Sequence, residues 1–227
     1  MQELKKLKKN LLISFFIYLC ITQMGKYMKK ETKNIILEAA KDIFIEKGYA
    51  GARMRDIAER AGINKGLLHY YYKTKKIMFV EVLKFSSRHI FPKLNDIMVS
   101  EIKFNKKLEL IVDVYIELLS QNIKLPSFVI NEMNYNTEIF INSIFEAGLF
   151  PDIPKIGLMI SKDVEEYNIE NFDPFNFVLN GLSMILFPFL LRPVLNRNLN
   201  INDKEFINIM RLRKRFIVDT LINGLKN

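Results

Sequence analysis

Residues 49–81 read YAGARMRDIAERAGINKGLLHYYYKTKKIMFVE, and their punctuation decides the fold. Met54, Ile57, Ala58 and Ala61 recur at helical spacing, and Gly62 breaks that short helix before Ile63 turns an apolar side chain inward. Asn64 then stands where a cap is needed for a helix over Lys65 to Tyr72, with Leu68 as its inward residue. A further helix starts after Thr74 and carries Ile77, Met78, Val82 and Phe85 inward. Upstream, Ile35, Ile36, Ala39, Ala40, Ile43 and Phe44 predict a first helix with Thr32 as N-cap and Gly48 as terminator. Two short helices joined by a glycine turn and braced by a longer one form the helix-turn-helix plan.

Outward from this segment the pattern stays helical. Beyond residue 92 there is no strand alternation, so the body is expected to be all-α. Its expected helices are about 74–98 (interrupted near Pro92), 103–122, 126–147, 151–167, 174–191 and 203–225. Pro126, Pro151 and Pro174 fall near helix starts, where a missing N–H costs little. No internal repeat and no low-complexity linker separates head from body. The expected division is an N-terminal extension over 1–27, a helix-turn-helix head over 28–76 and an all-helical body over 77–227.

Charge locates the partner. Residues 28–76 hold 12 Lys+Arg against 6 Asp+Glu, whereas residues 77–227 hold 17 against 18. A basic head on a nearly neutral, very apolar body suggests a nucleic-acid partner for the head and another task for the body. One Cys and two His leave no disulfide framework and little for a metal to bind. Phosphate-binding glycine loops, a nucleophile elbow and the zinc-protease His pair are also missing, so no enzymatic activity, metal or cofactor is expected.

The same stretch resembles the DNA-binding segment of the tetracycline repressor (TetR) family of bacterial one-component regulators. The shared residues are Ile57-Ala58, Ala61-Gly62-Ile63, Lys65-Gly66, Leu68, the aromatic cluster Tyr70 to Tyr72, and Lys75. The match spans roughly residues 30–85; the remainder resembles the family in length and all-α character, and RLRKRFIVDTLINGL looks like the last helix of many members. Departures are Ala52-Arg53 where a Thr/Ser pair is usual, His69 for Tyr, and Tyr72 for Phe. The second helix thereby loses a hydroxyl cap worth about 1 kcal/mol, and Gly51 is a candidate to replace part of it. The resemblance implies a ligand-responsive dimeric regulator, most often a repressor, on a palindromic operator.

Candidate DNA-binding residues are Arg53, Arg55, Lys65, Gly66, Leu67, His69, Tyr70, Tyr71 and Lys75. Lys75 and Lys76 occupy the first turn of a helix, where the macrodipole disfavours cations, so a phosphate partner is the expected reason for them. Lys65 and Gly66 open the helix that enters the major groove in this motif, and Gly66 lets the backbone approach bases. Three consecutive tyrosines cannot share one helix face. Tyr72 shares that of Leu68 and is read as packing, while Tyr71, four residues from Leu67, is the first choice for a phosphate or base-edge hydroxyl, with Tyr70 next. Arg55 matches a position from which family members reach a base, and Arg53 would reach the backbone. His69 is a candidate phosphate donor or a surface residue; His89 is read as structural.

In the body, FNFVLNGLSMILFPFLL (175–191) is apolar on every side, which calls for a partner chain as well as its own core. The last helix offers two apolar faces, one through Phe206, Met210, Ile217 and Leu221 and one through Ile209, Leu212 and Phe216. A homodimer built on these two helices is expected, as the resemblance also implies. Large side chains on the middle helices, among them Phe104, Tyr115, Phe128, Met133, Tyr135, Phe140, Phe145, Met159 and Tyr167, are core residues by default, some of which would line a pocket for a small apolar or amphipathic effector. Residues 5–23 carry a basic stretch and then a largely apolar run of 11 residues, Leu11 to Ile21, without a small-x-small cleavage pattern and too short for a span of about 20 residues. The expected protein is therefore cytoplasmic and starts at Met24 or Met28. Its rivals are a membrane-anchored regulator, and an all-helical carrier or enzyme with a basic head.

Overall fold

The computed structural model describes residues 30–88, 90–149, 153–167 and 172–225. His89, Pro151 and the N-terminal segment over 1–27 lie outside them. Among the described residues the chain is helical throughout and contains no strand. Helix α1 covers 30–51, followed by α2 (Met54–Arg60), α3 (Lys65–Tyr71) and α4 (Lys75–Ser87). The body comprises α5 (Ile90–Val99), α6 (Phe104–Gln121), α7 (Leu125–Tyr135), α8 (Thr137–Glu146), α9 (Ile153–Asp163), a 3-10 turn at Glu165–Tyr167, α10 (Pro174–Leu199) and α11 (Asp203–Gly224).

Local chemistry accounts for the head. Gly62, at φ +67, ends α2 with its own N–H bonded to Glu59 O at 3.1 Å and that of Ile63 bonded to Ala58 O at 3.0 Å. Asn64 Oδ1 accepts the N–H of Leu67 at 2.8 Å, and Thr74 Oγ1 that of Ile77 at 3.2 Å, so both expected caps form. Thr32, by contrast, lies inside α1, since Lys30 and Glu31 are good helix formers and already helical. Gly48, at φ +69, kinks α1 without ending it. Arg53 is the N-cap of α2 with no side-chain bond, and Gly51 belongs to α1 and replaces no cap. Asp56, in the first turn of α2 and paired with Lys47 at 2.5 Å, supplies negative charge to that end instead.

Three body boundaries differ from the periodicity reading. Pro92 sits in the first turn of α5, and the interruption precedes it. The expected helix 126–147 divides at Asn136, whose backbone N–H bonds Glu132 O at the end of α7 and which precedes α8 without a side-chain capping bond. Helix α10 runs through Pro188 and Pro193 to Leu199 instead of stopping at 191. Arg192 and Asn196 both bond Asp203 on α11, which ties the turn past the prolines to its neighbour.

Ile36, Ala40, Phe44, Ile57, Leu68, Tyr72 and Met78 form the head's core, which continues through Phe79 onto Phe128 and Phe140 of α7 and α8. Helix α4 runs through the expected boundary at residue 76 and belongs to both parts. A second core joins α6, α10 and α11 through Val112, Ile116, Phe189, Phe206, Met210 and Ile217. A third, around Phe104, Ile160 and Val164, closes the far end of the body. There Lys107, 4% exposed, donates to both carboxylate oxygens of Asp163 at 2.8 and 2.9 Å and to Met98 O at 3.0 Å, so its buried charge is fully partnered.

Candidate nucleic-acid interface

Helix α3 buries Leu68 and leaves Lys65, Gly66, Leu67, His69 and Tyr70 exposed on its outer side. Helix α2 is anchored by Ile57 and Ala58, and Arg60 holds Glu46 of α1 through two bonds of 3.1 and 2.9 Å. The Glu46 carboxyl is held below its ordinary pKa, chiefly by that Arg60 hydrogen bond. Asp56 is likewise lowered, chiefly by its hydrogen bond from Lys47, with smaller contributions from Arg53 and Arg55. The second helix is thus pinned to the first by ion pairs on its far side, and its start presents Arg53 to solvent.

The candidate residues divide accordingly. Arg53 and Lys65 are exposed, with no ion pair among the described residues. Arg55 is exposed but pairs with Glu59 at 3.3 Å. Tyr70 is 69% exposed and Tyr71 packs partly against the head core, so the expected order of the two tyrosines is reversed: the ring that faces out is Tyr70. Tyr72 is buried, and burial pushes its phenol up to about 12. A Cβ at position 66 would lie 3.3 Å from Asn64 Oδ1, so Gly66 is also needed to keep room for the cap. Lys73, not singled out by the sequence reading, is exposed between α3 and α4 with no ion pair among the described residues; the spacing of Lys73, Lys75 and Lys76 was the available signal.

Lys75 requires a correction. Its ammonium donates to Tyr49 O at 2.8 Å, Ala52 O at 3.2 Å and Ala50 O at 3.3 Å, and lies 4.6 Å from the centre of the Tyr49 ring. The cation sits where the carbonyls of the last turn of α1 converge, which is favourable on dipole grounds and leaves it no proton for a phosphate in this arrangement. Lys76 pairs with Glu146 of α8 at 2.6 Å. The two lysines tie α4 to α1 and α8.

The body presents an apolar cavity and uncovered apolar faces. A cavity of about 180 Å³ between α5, α6, α9 and α10 is lined by Met98, Phe104, Tyr115, Phe177 and Leu182. It adjoins a larger one of about 770 Å³ that shares Tyr115, Ile156, Val178 and Leu182. Burial raises the pKa of the Tyr115 phenol. Phe104 and Tyr115 are therefore cavity residues, whereas Met133, Tyr135 and Phe145 are exposed. On α11 the face through Phe206, Met210, Ile217 and Leu221 is fully taken up by the body's own core, and Ile209, Leu212 and Phe216 remain exposed. Phe175, Leu179, Phe187, Leu191 and Val194 of α10 are exposed too. This helix is long and apolar enough to cross a membrane by length and composition.

Comparison with known proteins agrees with this geometry. Residues 36–82 match the family described as bacterial regulatory proteins, tetR family. YttP of Bacillus subtilis (strain 168), described as a probable HTH-type transcriptional regulator, is 25% identical over 166 residues, covering 72% of this chain and 79% of its own. The HTH-type transcriptional regulator RutR of Escherichia coli (strain K12) is 42% identical over 52 residues, which is 23% of this chain and 24% of RutR. Among solved structures, the transcriptional regulator FadR from Bacillus subtilis in complex with stearoyl-CoA shares the fold, with a TM-score of 0.61 at 17% identity over 85% of this chain and 98% of that one. With a head that matches the tetR family over residues 36–82 and relatives of the same kind, the chain is a DNA-binding transcriptional regulator.

Proposed function

We propose that the protein is a cytoplasmic, homodimeric repressor that binds a palindromic operator through its head, up to about residue 76, and releases it when an amphipathic effector enters the body. The outer side of α3, with Lys65, Leu67, His69 and Tyr70 exposed beside Arg53, carries the reading. Lys65, Gly66 and Tyr70 read base edges, Arg53, Lys73 and His69 hold phosphates, and Arg55 reaches DNA once released from Glu59. Tyr71 and Lys75 position the reading residues from behind.

The exposed apolar faces of α10 and α11 support a partner chain, because a contiguous apolar surface of this kind marks an interface. Asn180, Arg192, Asn196 and Arg197 on α10, two of them bonded to Asp203, favour a protein partner over lipid for that helix. The apolar cavity around Tyr115 and Phe177 supports an effector with a long apolar part, and the stearoyl-CoA held by the FadR fold neighbour points the same way. Effector entry between α5, α6 and α10 shifts the helices that carry α4 and so alters the separation of the two heads.

The test is selection of duplexes from a randomised library by the full chain, followed by titration in rising salt with and without stearoyl-CoA. An enriched palindrome, a steep loss of affinity with salt and release by the acyl ligand are expected. Enrichment of no duplex would refute the reading. Recovery of the native protein in the membrane fraction would favour the anchored regulator.

A further inference from the structure

Glu132, on α7 in the body, is 1% exposed and reaches across to the head, where its Oε1 accepts the N–H of Tyr49 at 2.8 Å. Its Oε2 is buried with no hydrogen-bond partner among the described residues. A carboxylate so placed is costly to bury, and an apolar residue of the same length would be cheaper. The site is shaped around it: Gly48 has φ +69, and a Cβ there would lie 2.9 Å from Glu132 Oε1. Helix α1 therefore kinks where the carboxylate enters.

The kink leads directly into Arg53 and α2. Tyr49 is held from two sides, its N–H by Glu132 of the body and its carbonyl by Lys75 of α4 at 2.8 Å, while its ring packs on Phe44 and Phe79. Other side-chain links between head and body, Lys76 to Glu146 and Arg88 to Asn34, are exposed and screened by water.

We infer that Glu132 is a positioning residue for DNA recognition: its buried hydrogen bond to Tyr49 N–H fixes the orientation of the α2–α3 unit relative to the body. It touches no DNA, and displacement of α7 reaches the head through this carboxylate. The consequence for operator binding rests on the function proposed above; the positioning itself does not.

The test therefore has two arms. In full chain with Cys20 replaced by Ser, spin labels at Lys65→Cys and Asn105→Cys, both exposed, report the head-to-body distance. Wild type and Glu132→Gln, which keeps a carbonyl oxygen for Tyr49 N–H, should give one narrow distribution. Glu132→Met, similar in length and without an acceptor, should broaden it about twofold in a chain that still unfolds cooperatively. In the second arm, on the duplex enriched by the wild type, Glu132→Met should bind about tenfold more weakly, with affinity for random duplex unchanged, if about one head in ten stays in register. Should Met be poorly accommodated, Glu132→Ala must give the same broadening. A wild-type distribution for Met and Ala, or a Gln variant as broad as Met, overturns the proposal. Failure to enrich any duplex leaves the distance arm to decide it.

Discussion

Lys75→Met separates a structural from a DNA-contacting role for the lysine that closes α1. The substitution keeps the aliphatic stem and removes the ammonium, together with hydrogen bonds of 2.8, 3.2 and 3.3 Å to three carbonyls. A hydrogen bond to a charged group contributes about 1.5–3 kcal/mol, but the three here share one half-buried ammonium whose carbonyl partners water can partly reach. A total loss of about 2 kcal/mol is therefore expected, a sizeable part of the roughly 5–15 kcal/mol that holds a domain together. Urea unfolding of the full chain measures it. The slope of DNA affinity against salt gives the complementary reading, since each lost phosphate contact lowers that slope by about 1. The structural role predicts lower stability with an unchanged slope. Unaltered stability, within about 0.5 kcal/mol, with a slope reduced by about 1 would refute the assignment and restore Lys75 as a phosphate ligand.

Four further outcomes follow from the same fold. Leu212→Glu, at a position 81% exposed in the single chain, should leave the fold intact and yield a monomer by sedimentation. Ile217→Glu, at a position 0% exposed, should instead lose several kcal/mol of stability, because it buries a charge inside the body. Gly66→Ala should gain far less than the roughly 1 kcal/mol of added helix propensity, and the full gain should appear only when it is measured against Asn64→Ala, which itself loses the cap but frees the crowded site. Tyr72 keeps its proton in the folded state up to about 12, above the ordinary 10, so the folded chain binds more protons in that window. Stability should fall as pH rises from 10 towards 12, and Tyr72→Phe should remove that part of the fall in an alkaline unfolding series.

Much of the head was legible because its signals are local. A glycine at positive φ, an Asn and a Thr at helix starts and the inward Leu68 each act over about one turn, and each behaves in the fold as its neighbours dictate. Apart from the ends of α1, where Thr32 and Gly48 do not mark the boundaries, what escaped depends on residues far apart in sequence. Lys75 opens α4 as the sequence implies, yet its side chain reaches 26 residues back to the last turn of α1, which no local rule reveals. Glu132 carries no motif at all, and its contact with Tyr49 spans 83 positions. Tyr70 is the more exposed of the two rings because Tyr71 meets the head core, a contact that spacing from Leu67 does not reveal.

Helix α11 makes the same limit concrete for assembly. Its periodicity yields two apolar stripes, and nothing along the chain ranks them, because a residue that meets its own core and one that meets a second copy obey the same hydrophobic rule. The fold ranks them through α6: Met210 and Ile217 turn inward and Leu212 and Phe216 face out, with Arg211 and Lys214 bonding Glu117 and Asp113 at 3.1 and 2.5 Å. Packing of Met210 and Ile217 against Val112 and Ile116 thus decides which apolar face is core, and the exposed ion pairs flank that contact. On α10, Arg192 and Asn196 likewise bond Asp203 of the neighbouring helix. Both helices are oriented by contacts made within one chain, so their outer stripes are in place before any partner arrives. A preformed surface of this kind loses little conformational freedom on association, which suits a dimer whose two heads must reach DNA at a set separation.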